Sequence, residues 1–228
     1  MSDLRDIPLF PLGTVLFPKQ LLPLRIFEER YKLMINECLR DQTSFGVVLI
    51  KAGREVGGPV VPHEVGTTAR IAQAQHLEEG RISLQAIGEQ TFRLARITQQ
   101  RPYMRGEIEF LDSRAGDEVE LEDVISSVKQ QFSAHLDILS QMSERQRVDL
   151  NLDLDPESLS YLVASVLAIE NPEKQQLLEI ERTDLRLQRE LGILGRENST
   201  LQTFLYLKKR GQEQPSDENP LLRRISNN

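Results

Sequence analysis

Four prolines punctuate the most apolar stretch of the chain, IPLFPLGTVLFPKQLLPLRIFEERY at residues 7–31. Pro8, Pro11, Pro18 and Pro23 have no amide proton to give to a sheet ladder, so a regular central strand is not expected here. Gly13 and Pro18 cut the stretch into short pieces. The expectation is a set of short strands threading through a core, with some edges left exposed. A membrane span is set aside, because no run of roughly 18 apolar residues occurs.

The rest of the first half supports a mostly β reading. RISLQAIG at 81–88 alternates Ile82, Leu84 and Ala86 against Arg81, Ser83 and Gln85. YMRGEIEF at 103–110 sets Met104, Gly106, Ile108 and Phe110 against Tyr103, Arg105, Glu107 and Glu109. A period of two marks strands with one buried face. The EEG at 78–80 reads as a hairpin turn, and FGVVLI at 45–50 as a strand buried on both faces. One helix interrupts, with Phe27, Tyr31, Met34, Ile35 and Cys38 on one face and Phe27 and Tyr31 as its anchors. Glu28 and Arg30 are expected to pair or cap locally.

Beyond about residue 112 the period becomes helical. Ile125, Val128, Phe132, Leu136 and Leu139 form one stripe. Asp155-Pro156 and Asn171-Pro172 each read as an N-cap followed by proline at the first helical position. Leu187, Leu191, Leu194, Leu201 and Leu205 form the seam of a last helix ending near Arg210, before Gly211. The expected organisation is α+β: a small β-barrel over residues 1–112, an α-helical bundle over 113–210, and a disordered tail over 211–228. Charge divides in the same place, since the first half sums to zero and the second carries the whole net charge of −7.

In sequence order, P-L-F-P-L, L-F-P, P-L-R-I-F-E and R-Y, followed by FGVVLI, EVGTTARIAQAQHLEEGRISLQAIGEQTFRL and NPEKQQLLE, closely resemble the N-terminal domain of Lon proteases. The resemblance runs from residue 7 to about 205. It implies a PUA-like barrel followed by a helical bundle, and a role in recognising polypeptide substrates ahead of an ATPase. Lys19 and Glu29, where the family often has Gly and Pro, and Thr91, where Arg is common, depart from the pattern at local turns. The G-x-x-x-x-G-K-[ST] loop that cradles nucleotide phosphates is missing from the sequence. The chain is therefore read as a stand-alone substrate-binding domain of the kind also found in cereblon, without catalytic residues and without a cofactor.

Other chemistries fit these residues less well. His63, His76, His135 and Cys38 lie in four segments with no metal-ligand spacing, so no metal site is assigned. Arg81, Arg93, Arg96, Arg101 and Arg105 face a single acid, Glu89, between residues 81 and 105, which gives RNA binding a foothold. The overall negative charge, the absence of Trp and an aromatic content of only 5 % argue against it. One cysteine and no basic, apolar leader point to the cytoplasm. Extended or unfolded polypeptide is the expected partner, added along a strand edge or laid into a groove. The candidate contact residues are Phe17, Leu21 and Leu22, beside the loop Lys51–Pro62. Such contacts would be weak per site and little affected by salt. The alternative is a scaffold whose acidic bundle docks a protein partner, such as a protease.

Overall fold

A computed structural model describes residues 4–55, 57–114, 116, 118–143 and 150–213, and shows an α+β fold. In chain order the elements are β1 (Arg5–Leu12), β2 (Leu21–Ile26), α1 (Glu29–Asp41), β3 (Phe45–Gly53), β4 (Val60–His76), β5 (Ile82–Gln99), β6 (Met104–Phe110), α2 (Glu118–Ser143), α3 (Pro156–Val166), α4 (Asn171–Leu178) and α5 (Thr183–Glu213). The six strands form one sheet in the order β2-β5-β4-β3-β1-β6, and β6 also pairs with β5. Five strands therefore return on themselves, and β2 hangs outside that ring on β5.

The prolines of β1 do not keep it out of the interior of the sheet. The reason is a change of partner. Arg5 to Leu9 run antiparallel to β6, from Arg5↔Ile108 to Leu9↔Met104. Leu9 to Leu12 run parallel to β3, from Leu9↔Gly46 to Leu12↔Leu49. The two pairings overlap only at Leu9. Pro8 and Pro11 thus each have a strand on one side alone, and the other side is free to take a nitrogen without a proton.

Pro23 is accommodated differently. Gly88 donates its N–H to the Gln20 carbonyl at 3.0 Å, which sets the phase of the β2–β5 ladder. Leu22, Leu24 and Ile26 turn their backbone groups to β5, whereas Leu21, Pro23 and Arg25 turn theirs to the open edge. A proline in the middle of that edge removes a donor from it. Gly88 itself lies under the Phe17 carbonyl, where a Cβ would collide with it.

Three apolar clusters hold the molecule. Leu9, Val48, Phe92 and Ile108 pack between the paired strands. The Phe92 ring occupies the places where side chains at Gly46 and Gly66 would begin. A second cluster joins Tyr31, Met34, Ile35 and Cys38 of α1 to Phe10, Phe45, Ile82 and Leu84 of the sheet. The third mixes Val15, Phe17, Leu49 and Val65 from the sheet region with Phe132, Leu159, Tyr161, Leu177 and Leu194 from the helices. Sheet and helices therefore share one core.

Several local expectations are corrected. Phe27 does not anchor α1: it precedes the helix and is 55 % exposed. Tyr103 points inward, not outward, and its hydroxyl bonds the Glu37 carboxylate. The buried stripe of α2 runs through Val124, Val128, Phe132, His135 and Ile138, with Leu136 and Leu139 only half-buried. Asp155 caps α3 as expected, accepting from Ser158 N at 2.9 Å. Asn171 instead sits inside α4, after Glu170, and its amide donates to the Gly13 carbonyl at 2.6 Å. The last helix passes through Gly211 to Glu213, and the expected tail beyond it lies outside the described residues.

Candidate functional site

The β2–α1 junction places three adjoining clefts along one side of the sheet. The first, of about 520 Å³, is lined by Pro11, Tyr31, Pro59, Val60, Arg101 and Met104. It lies where β1 has left β6, beside the tip of the β3–β4 hairpin. The second, of about 230 Å³, shares Glu28 and Tyr31 with the first and is also lined by Phe10, Leu12, Leu24 and Glu55. The third, of about 450 Å³, shares Arg25, Ile26 and Phe27 with the second and extends to Leu77 and Ile82. Together they make a groove, mainly apolar in its second and third clefts and more polar in the first, in which Phe27 and the 41 %-exposed Leu77 stand open to water. Exposed aromatic surface of this kind is a usual mark of a binding site.

Charge in the groove is arranged in zones. Arg30 pairs with Glu28 at 2.9 Å and reaches the Glu55 carbonyl at 3.4 Å. Its guanidinium lies 4.5 Å from the centre of the Tyr31 ring, a cation–π contact that holds both in place. Burial pushes the Tyr31 hydroxyl above its ordinary pKa, so the ring stays neutral. In the third cleft Arg81 meets Glu79 at 3.1 Å. Arg25 and Arg101 have no carboxylate partner among the described residues.

The sequence candidates divide. Phe17 is fully buried between sheet and helices, its ring centroid 6.3 Å from that of Tyr161, so it is a core residue and cannot meet a partner in this conformation. Leu22 is half-buried against the cluster under α1. Leu21 is 52 % exposed on the open edge of β2, the only one of the three on the surface. Sequence reasoning missed Phe27, which it counted into the α1 stripe. The signal was available: Glu28 and Glu29 begin the helix, so Phe27 still belongs to the extended segment. The loop beside the candidates is the β3–β4 hairpin, whose residues Gly57 to Val60 line the first cleft.

The arginines of residues 81–105 are mostly occupied. Arg93 meets Glu181 at 3.0 Å, Arg96 meets Glu107 at 2.6 Å and Arg105 meets Asp6 at 2.7 Å. Cys38 and the histidines are dispersed as well. Cys38 is buried, His76 lies 3.3 Å from Asn36 Oδ1, and His135 Nδ1 lies 2.8 Å from Asn198 Oδ1 in the core. Among the described residues no group of three or more His, Cys, Asp or Glu could hold a metal ion. Among the same residues no helix is long and apolar enough to cross a membrane.

A fourth cleft, of about 370 Å³, sits at the joint between sheet and helices. Lys19 there takes a φ of 65°, the left-handed region that favours glycine. Its amine bonds Ser158 and lies 3.6 Å from Asp155. The departure at Lys19 thus ties the β1–β2 loop to the start of α3.

The fold is one already represented by solved Lon N-terminal domains. One from Xanthomonas campestris, described as a Lon N-terminal domain protein, is 25 % identical, with a TM-score of 0.63 over 82 % of this chain and 98 % of that one. The N-terminal domain of a Mycobacterium avium complex Lon protease shares the fold with a TM-score of 0.62 at 14 % identity. Residues 6–196 match the family described as the ATP-dependent protease La (LON) substrate-binding domain, and the chain belongs to that family. Its curated relatives include the Lon proteases of Azospirillum brasilense, 26 % identical over 94 % of this chain, and Escherichia coli, 24 % identical over 93 %. The chain spans only about a quarter of the length of these relatives, 26 % and 27 % respectively.

Proposed function

We propose that this protein is a non-catalytic module that binds extended or unfolded polypeptide, serving as an adaptor or regulator of proteolysis in the cytoplasm. Binding falls to residues 1–112, and the helices of 113–210 brace them. The observation that carries the reading is the groove along β2 and α1, with Phe27 exposed between two clefts that share it. Membership of a family named for substrate binding supports it. Pro23 weakens strand addition at the β2 edge, so side chains laid into the groove are favoured over a backbone ladder. RNA is the weaker alternative, because three of the five arginines between residues 81 and 105 are held by acids elsewhere in the fold and a fourth by Glu79.

A second reading concerns the helices. Phe204, Tyr206 and Leu207 are each more than half exposed near the end of α5, which favours docking of a protein partner there.

The test is fluorescence anisotropy with a labelled, reduced and carboxymethylated polypeptide. Binding is expected without ATP and unchanged by it. A protein that binds no unfolded polypeptide, and does not slow the aggregation of any, overturns the reading.

A further inference from the structure

The charge zones of the groove say more about its occupant than its apolar walls do. The middle cleft is lined by Glu28 and Glu55, with Arg25 where it adjoins the third cleft, while Arg30, which pairs with Glu28, lies outside its lining. An acidic residue seated there would meet the Glu28 and Glu55 carboxylates, and an apolar one would meet Phe10, Leu12, Leu24 and Tyr31. To one side, in the first cleft, Arg101 is exposed and unpaired among the described residues. To the other, Arg25 lines the second and third clefts, likewise exposed and unpaired. Elsewhere on the sheet arginines are provided with acids: Arg96 with Glu107, Arg105 with Asp6, Arg93 with Glu181. Arg25 and Arg101, which have no such acid among the described residues, both line the groove.

We propose that the groove selects extended segments in which a bulky apolar run is bracketed by acidic residues, the run lying over the middle cleft and the acids meeting Arg25 and Arg101. This rests on the groove being the polypeptide site. Opposite charges at exposed positions add little each, but they decide between competitors of equal apolar content and reject basic flanks by repulsion. The module therefore discriminates among unfolded chains instead of taking any greasy segment, although its own net charge of −7 would on average repel acidic ones. Local complementarity is set against the global field.

Three labelled peptides with one shared central run of Leu and Phe, flanked on both sides by Glu, by Gln or by Lys, test the proposal by anisotropy. The expected order is Glu tightest and Lys weakest, with about tenfold between them at low salt. Near 0.5 M salt the three should converge towards the Gln-flanked value, because both arginines are exposed to screening. In the double variant Arg25→Gln, Arg101→Gln the ordering by flank should disappear. Equal affinities for the three flanks in the wild-type protein, or an ordering that survives in the double variant, overturns the proposal while leaving the groove intact. Failure of all three peptides to bind overturns the groove reading itself.

Discussion

The ring of Phe17 lies 6.3 Å from that of Tyr161, one contributed by the β1–β2 loop and the other by α3. Both are buried in a cluster that draws on sheet and helices alike. The boundary suggested by composition near residue 112 therefore crosses a continuous core.

Phe17→Ala should cost about 3–5 kcal/mol, the usual range for a buried phenylalanine that leaves a cavity. Urea denaturation followed by circular dichroism measures it. A chain cut after residue 112 would expose Val15, Phe17, Leu49 and Val65 together, and it is expected to aggregate. A soluble, cooperatively folding fragment would contradict this.

Phe27→Ser should behave in the opposite way. The side chain is 55 % exposed and belongs to none of the clusters, so stability should stay within about 0.5 kcal/mol of the wild type. Affinity for unfolded polypeptide should fall about tenfold. Unchanged binding would remove Phe27 from the site.

Pro23→Thr restores an N–H to the middle of the open β2 edge and adds a residue with high strand propensity. Light scattering coupled to size exclusion should show concentration-dependent self-association that the wild type lacks at the same concentration. A variant that stays as the wild type does would mean the edge is protected by other means.

Glu190 sets the pH response. Ser160 donates to its Oε1 at 2.8 Å, and Arg186 Nε donates to Ser160 at 2.7 Å, but Glu190 Oε2 is buried without a partner among the described residues. Burial raises its pKa from the ordinary 4.5 to about 8, although the Ser160 bond and the charge of Arg186 work against the shift. The folded state therefore holds a proton that the unfolded state has already lost between these values. Its contribution is complete below pH 4.5 and declines as pH rises to 8, on the order of 1 kcal/mol per pH unit. Glu190→Gln should remove that slope and raise stability at pH 8. Melting temperatures of the two proteins across this range check it, and parallel curves would show that Glu190 does not control the response.

Much of the local structure could be read from the sequence because it follows from short periods. The alternation of Ile82, Leu84 and Ala86, the hairpin at residues 78–80 and the cap at Asp155 all reappear in the fold. What was hidden depends on partners distant in sequence. That β1 could hold two prolines and still be paired on both flanks follows only from its change of neighbour at Leu9. The arginines looked like one basic patch until Asp6, Glu107 and Glu181 were brought to them by the fold. Of the three candidates only Leu21 lies on the surface, outside the lining of the groove, whereas Phe17 was misplaced because a hydrophobic residue flanked by proline looks the same whether it is covered by a helix or by water. Arg186 and Glu190 are buried, with Ser160 of α3 bonded to both, and nothing in their spacing announces it.

The partner exchange along β1 also has a temporal meaning. Arg5 finds its neighbour in Ile108, so half of this strand must wait for about a hundred further residues of synthesis. Until β6 arrives, the ring stays open and its apolar lining, Leu9 and Phe92 among it, faces water. The sheet thus passes through a stage in which it is itself an unfinished, apolar surface.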